Sequence, residues 1–175
     1  MHTLKLILLF LFVTFAYGCA NPSIVKINES EVGVLSDQVK IFVPRFEGNP
    51  DFVEESTDFF VANLESHISN IITQGSVLRA ESTDIKSGGN LAPIEIALES
   101  AKNNGADILI TGKVTSHKTS GMLNGFSTIR IYNVFTGKRI ANFHRPSGLL
   151  IANSEHQCVM AAVKRTAKDV SELFK

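Results

Sequence analysis

Apolar residues recur along the first half of the chain with two different periods. Val39 to Phe46 is apolar and alternating, which predicts a strand. From Asp51 to about Thr73, apolar residues return every three or four positions, which predicts a long helix that begins at an Asp51 cap. Gly75 follows that helix, and Ser76 to Ala80 is predicted to be a short strand.

The second half of the chain predicts two more helices and three more strands. A helix is expected to begin near Pro93 and to end at Asn104-Gly105. Asp107 to Val114 is nearly continuous in apolar residues at its start, as in a central strand covered on both faces. Thr115 to Gly125 is predicted to be a polar loop. The remaining elements are a hairpin of Phe126 to Phe135 with Arg139 to His144, and a helix opened by a capping box from Ser154 to Gln157.

This order of elements, β-α-β-α-β-β-β-α, predicts an α/β (α+β) fold. It implies a mixed sheet of about five strands with three helices packed against it. A single domain is expected over residues 39–175, which is long enough to bury a core. Residues 19–38 are predicted to form a tether, with a short strand allowed near Ser23 to Ile27.

The first residues form a segment of different character. Lys5 precedes an apolar run from Leu6 to Phe15, and small residues precede Cys19, which is typical of a secretory signal. The run is too short for a membrane-spanning helix, which needs about 20 apolar residues. Residues 1–18 resemble a bacterial lipoprotein signal, whose cleavage leaves Cys19 as the lipid-bearing N-terminus.

Ordinary secretion is the alternative to lipidation. Ala16-Tyr17-Gly18 also fits a small-x-small cleavage site, and the bulky Tyr17 departs from the lipoprotein pattern. A soluble product beginning at Cys19 could pair that cysteine with Cys158, the only other one. In a lipoprotein, Cys158 is expected to be a small buried hydrophobe. By resemblance to sorted lipoproteins, Ala20 in place of Asp favours the periplasmic face of an outer membrane.

Charge and motif spacing argue against several kinds of site. The chain has 17 Lys and Arg and 17 Asp and Glu, and no basic stripe stands out, so nucleic acid is a poor candidate partner. Gly112-Lys113 lies in a predicted strand and lacks the Ser or Thr of a phosphate loop.

His156 and Cys158, with His144 upstream, are the one cluster that suggests a ligand set or a nucleophile. Residues two apart on a helix point to different faces, so a surface histidine beside a core cysteine is favoured. We expect no metal, no cofactor and no catalytic set.

Two stretches resemble a known family. Ala101 to Val114 contains an Asn-Gly-Ala-Asp turn that feeds a strand, and Ile129 to Lys138 contains a Thr-Gly hairpin. Both resemble signatures of envelope lipoproteins related to the curli-secretion lipoprotein. That superfamily includes the N-terminal domain of the Tol-Pal propeller protein and the lipoprotein activators of penicillin-binding proteins. The resemblance implies a shared fold from Val39 to Lys175 and no common active site. The motif residues are expected to act as a helix cap, a backbone acceptor, a point of close approach and a turn with positive φ: Gly105, Asp107, Gly112 and Gly137.

These observations predict a lipid-anchored, non-enzymatic interaction module of the periplasm. Acylated Cys19 would hold it on the membrane, and a protein of an envelope assembly (cell-wall synthesis, secretion or flagellar machinery) would be its partner. The expected docking surface is an exposed sheet edge or the residues Met122, Leu123 and Phe126, for which local packing is the alternative. A subunit of a self-assembling, secretion-related ring is the second hypothesis, and an enzyme is the third.

Overall fold

A computed structural model provides the fold for residues 23–36, 38–75, 94–119, 122–148 and 154–175, without the side chains of Thr119 and Met122. Within these ranges the chain forms seven strands, four α-helices and a final 3-10 turn. In chain order they are β1 (Ile24–Ile27), α1 (Glu29–Val32), β2 (Ile41–Pro44), β3 (Glu47–Gly48), α2 (Pro50–Glu65), β4 (Ile72–Gly75), α3 (Ile94–Asn103), β5 (Ile108–Thr119), β6 (Met122–Asn133), β7 (Arg139–Pro146), α4 (Glu155–Ser171) and the turn Glu172–Phe174.

One mixed sheet contains all seven strands. Its order is β1-β7-β6-β5-β2-β4, and the short β3 pairs with β5 beside β2. The pairs β2–β4, β2–β5 and β3–β5 are parallel. The pairs β5–β6, β6–β7 and β1–β7 are antiparallel. The predicted α/β (α+β) class, a mixed sheet with helices against it, is confirmed, with more strands and helices than were expected.

Helices α2 and α4 cover one face of the sheet. Phe60 and Leu64 of α2 and Val163 of α4 are fully buried against Ile110 and Ile131 of the central strands. Burial of each such side chain contributes about 1.5–3 kcal/mol of hydrophobic free energy. This layer is the main core of the domain.

Helix α3 covers the opposite face. Ala97 and Ala101 on α3 pack in a smaller cluster with Phe42, Leu109 and Val134. Residues on both faces at the start of β5 are therefore buried, with Leu109 and Ile110 at 0% exposure. The predicted central strand, covered on both sides, is confirmed.

The two capped helix starts follow from local hydrogen bonding. The Ser154 side chain accepts a hydrogen bond from the Gln157 N–H at 3.2 Å, as the capping-box spacing predicts. The cap of α2 is Asn49, whose side chain accepts from the Asp51 N–H at 3.0 Å, with Pro50 in the first turn. The predicted cap at Asp51 is therefore wrong by two residues.

The predicted end of α2 near Thr73 is wrong, because the helix ends at Glu65. Ser66 N–H still donates to Ala62 O at 3.2 Å, and the chain then leaves the helix. Ile72–Gly75 instead forms β4, which pairs in parallel with β2. Ile68, Ile71 and Ile72 continue the helical spacing, but the backbone of this segment gains hydrogen bonds by pairing with the open edge of the sheet. The strand predicted at Ser76 to Ala80 lies outside the described residues.

The predicted polar loop from Thr115 to Gly125 is also wrong. β5 continues to Thr119 and β6 begins at Met122, so this segment is the outer half of a long antiparallel hairpin. The segment shows no apolar alternation, because most of its side chains are polar and the position that α4 covers, Gly125, has no side chain. The backbone pairing of β5 with β6 nevertheless continues to Thr119 and Met122.

The sheet also includes part of the segment that was predicted to be a tether. The short strand allowed near Ser23 to Ile27 is present as β1, which pairs with β7. After β1, Asn28 N–H donates to Ile140 O at 2.7 Å, and the one-turn helix α1 follows. β1 therefore begins five residues after Cys19 in the sequence, and Cys19 itself lies outside the described residues.

Candidate functional site

The turn between α3 and β5 is built by two of the motif residues. Gly105 has a φ of 66° and donates its N–H to Lys102 O at 2.9 Å, while Ala106 N–H donates to Ala101 O at 3.0 Å. These two bonds form a Schellman cap, which requires a left-handed residue at this position. Asp107 Oδ2 then accepts from Lys40 N–H at 2.8 Å. Asp107 thereby ties the start of β5 to the start of β2.

Gly112 and Gly137 also serve the fold. A Cβ at Gly112 would overlap the Phe46 ring, with the ring Cγ at 2.6 Å, so Phe46 can lie over the sheet only because residue 112 is glycine. Gly137 has a φ of 68° in the β6–β7 turn and donates its N–H to Asn133 O at 2.9 Å. In the described part of the chain, these residues serve the turns and the packing of the sheet.

The residues proposed for partner binding are divided between the two faces of β6. Leu123 and Phe126 are three positions apart in one strand, so they lie on opposite faces. Phe126 is half-buried and stacks on His144 at 5.5 Å between ring centroids, and its ring also makes a tilted contact with His117 at 5.6 Å. Local packing therefore accounts for Phe126. For Met122 only the backbone is described, paired with Thr119.

The histidine and cysteine residues that suggested chemistry are held apart. His156 Nε2 contacts Glu55 Oε2 at 2.8 Å on the surface, whereas Cys158 is fully buried and its thiol donates to Leu123 O at 3.4 Å. His144 Nδ1 instead contacts Thr128 Oγ1 at 2.9 Å. The prediction of a surface histidine beside a buried cysteine is confirmed. Among the described residues, no group of three or more His, Cys, Asp and Glu side chains is placed to hold a metal.

The outer edge of β1 is an exposed apolar surface that sequence reasoning undervalued. Ile24, Val25 and Ile27 expose 43%, 39% and 45% of their surface, and β1 ends the sheet. Three β-branched residues within four positions were the signal for this strand. The polar residues around them made a tether the simpler prediction.

Backbone donors on this edge point alternately toward β7 and away from it. Asn28 N–H donates to Ile140 O, and hydrogen-bonded positions alternate in an antiparallel pair. The N–H groups of Ile24 and Lys26 therefore face β7, while those of Val25 and Ile27 face outward. Such a row of outward groups is a template for pairing with another strand.

Charge is distributed unevenly over the sheet. No Asp or Glu occurs from Ile108 to Ser154, a stretch that carries six Lys and Arg residues and forms β5, β6 and β7. The carboxyl of Glu47 on β3 is directed among these cations: burial raises its pKa above the ordinary value, and Lys113 and Arg130 act in the opposite direction. Acidic side chains of other elements offset part of this positive charge, since Lys138 pairs with Glu31 and Arg145 pairs with Asp169.

Comparison with known proteins identifies the fold. No protein-family model matches the chain, and no curated protein does. The PelC dodecamer from Paraburkholderia phytofirmans matches with a TM-score of 0.59 at 12% identity, over 89% of this chain and 100% of that one. A variant of the same protein gives 0.58 at 13% identity with the same coverage. The C-terminal domain of LpoB from Salmonella enterica covers 69% of this chain and 94% of its own at 11% identity, with a TM-score of 0.48.

The PelC structures share the fold of this chain, so the resemblance suggested by the two sequence stretches is confirmed for the fold. The PelC match carries this conclusion because it spans the whole of that chain. In the described ranges, no helix has both the length and the apolar character needed to cross a bilayer.

Proposed function

We propose that this chain is a lipid-anchored, non-enzymatic interaction module on the periplasmic face of the outer membrane. It docks onto a protein of an envelope assembly and is held on the membrane by acylated Cys19. The exposed apolar edge of β1 carries this proposal, since it is a ready surface for a partner and lies next to the anchor in the sequence. The envelope-lipoprotein fold supports it.

The edge of β1 fits an extended segment of a partner protein. Outward N–H groups at Val25 and Ile27 would bond the partner backbone, and the exposed apolar side chains would pack beside it. Monomeric proteins usually protect such edges with prolines or charges. Only Lys26 provides a charge on this strand.

Replacement of Cys19 tests the anchor. Cys19→Ala removes the thiol that would carry the lipid, so we expect the chain to move from the membrane fraction to the soluble periplasm. Intact-mass measurement of the unaltered chain should show the added acyl groups. Cys158→Ala is the matched control, since that thiol is buried and should leave the membrane fraction unchanged. A soluble, unacylated wild-type chain would contradict lipidation and favour ordinary secretion.

Blocking the edge tests the docking surface. Val25→Pro removes an outward N–H and leaves the β1–β7 ladder intact, so we expect the partner to be lost while the midpoint of unfolding barely moves. Val25→Thr is the matched control, because it keeps the N–H and the branched shape. The measurement is recovery of the partner with the chain after reversible crosslinking in cells. Equal recovery with both variants would contradict edge pairing.

A homo-oligomeric ring is the second candidate. The PelC protein that shares this fold is a dodecamer, and a second copy could occupy the same β1 edge. A ring needs a second, different patch, and the opposite edge at β4 with the exposed Ile71 offers one. Native mass spectrometry of the lipidated chain in detergent distinguishes the candidates: one discrete multiple of the chain mass supports the ring, and single copies support docking to another protein.

A further inference from the structure

The β5–β6 hairpin projects from the end of the sheet at which the chain leaves for Cys19. Ile24 is level with His144, and His144 is level with Thr128 across the sheet. β1 runs in the same direction as β6, because both are antiparallel to β7. From Thr128, β6 extends six residues back to Met122, or about 20 Å at the strand rise per residue. The hairpin therefore reaches about 20 Å beyond Ile24.

The chain between Ile24 and Cys19 is too short to lift the domain clear of a membrane. Five residues separate the two positions, so a fully extended chain spans at most about 18 Å. If Cys19 is acylated, the level of Ile24 lies no farther than this from the lipid surface. The hairpin projects by about as much in the same direction, so in a domain whose strands stand upright on the membrane its end reaches the headgroups.

The composition of the hairpin end suits a lipid surface. His117 and Lys118 are exposed, and no acidic residue lies on either strand of the hairpin. Leu123 occupies the paired position opposite Lys118. Cations attract the phosphates of anionic lipids, and long side chains can lie along the boundary between headgroups and acyl chains.

We propose that the end of the β5–β6 hairpin, defined by the paired residues Lys118 and Leu123, lies against the headgroups of the membrane that holds Cys19. This proposal rests on the lipid anchor of the proposed function. It gives Lys118 and Leu123 a lipid surface as their contact, and it leaves the β1 edge for the partner protein. Two parts of the chain then contact the membrane, the acylated Cys19 and the end of the hairpin.

The experiment measures the depth of two labelled positions in the lipidated chain. An environment-sensitive fluorophore is attached at Lys118→Cys or, as the matched control, at Phe135→Cys. Phe135 is 77% exposed and lies in the turn after the far end of β6, roughly 36 Å from Met122 along the strand. The buried Cys158 stays unlabelled in the folded chain. The protein is reconstituted in vesicles of phosphatidylethanolamine and phosphatidylglycerol that contain a nitroxide-headgroup lipid as quencher.

We expect several-fold stronger lipid quenching at position 118 than at position 135. Equal quenching at the two positions would overturn the proposal, as would protection of position 118 from an aqueous quencher without lipid quenching, which would show that protein covers the hairpin end. Flotation of the chain with vesicles, compared with Cys19→Ala, tests the anchor separately. Failure of flotation thus refutes the lipid anchor, whereas floating chains with equal quenching refute only the hairpin contact.

Discussion

Gly125→Ala is expected to lower the free energy of unfolding by about 3 kcal/mol, at the upper end of what overpacking costs. Gly125 lies on β6 directly beneath the first turn of α4. A Cβ there would overlap the backbone of Cys158 and lie 2.5 Å from the Val159 nitrogen. Helix backbone cannot rotate aside as a side chain can, and Val159 is itself fully buried. The measurement is chemical denaturation followed by circular dichroism.

Gly33→Ala is the matched control for Gly125→Ala. A Cβ at Gly33 meets no atom within 4 Å, and its φ of −60° suits any residue. Removal of a glycine at such a position usually stabilises by about 0.4–1 kcal/mol, because the unfolded chain loses freedom. Similar losses of stability for the two variants would contradict the close contact between α4 and β6.

Phe60→Ala is expected to have the second large effect, a loss of about 3–5 kcal/mol in the free energy of unfolding. Phe60 has no exposed surface and its ring lies 5.2 Å from that of Phe46, centroid to centroid. The substitution removes a ring from the middle of the layer between α2 and the sheet. The surrounding strands cannot close the cavity without breaking their hydrogen bonds. Thermal and urea unfolding of the purified domain measure this loss.

Phe135→Ala is the matched control for Phe60→Ala, with the same chemical change on the surface. Phe135 exposes 77% of its area, so its replacement should alter the unfolding free energy by no more than about 0.5 kcal/mol. A large loss at Phe135, or a small one at Phe60, would mean that the main core has been assigned to the wrong side of α2.

The elements predicted correctly are those whose signals are local. Ser154 and Gln157 mark the start of α4, and Gly105 marks the end of α3, because each makes its hydrogen bonds within its own turn. The continuous apolar residues at the start of β5 likewise indicated correctly that both faces of the strand are buried. These features depend on a few neighbouring residues and need no knowledge of the rest of the fold.

The errors come from elements that depend on distant partners. The isoleucines at Ile68 to Ile72 continue a helical spacing, yet Ile72 pairs with Ile41 of β2, which is distant in the chain. The outer hairpin has polar residues on both faces, so its strands leave no alternation to detect. β1 is four residues long and becomes a strand only because β7 offers a free edge.

The same distinction applies to the candidate site. Gly105, Asp107, Gly112 and Gly137 could be assigned roles in the fold from their sequence context, and the geometry gives each a cap, a bond, a close approach or a turn. Leu123 and Phe126 lie on opposite faces because a strand, unlike the predicted loop, sends residues three apart to opposite faces. The sequence shows that no Asp or Glu occurs from Ile108 to Ser154, but only the fold shows that this stretch forms three adjacent strands of the sheet.

Site-specific photocrosslinking in cells tests the proposed docking function most directly. A photoreactive residue replaces Val25 on the β1 edge or, as a control, Phe135 in the far turn, and the captured proteins are identified by mass spectrometry. We expect Val25 to capture one distinct envelope protein that Phe135 does not capture, and Ile27→Pro to abolish this capture. Capture of the chain's own copies alone, or the same background from both positions, would contradict the docking of β1 onto a separate partner.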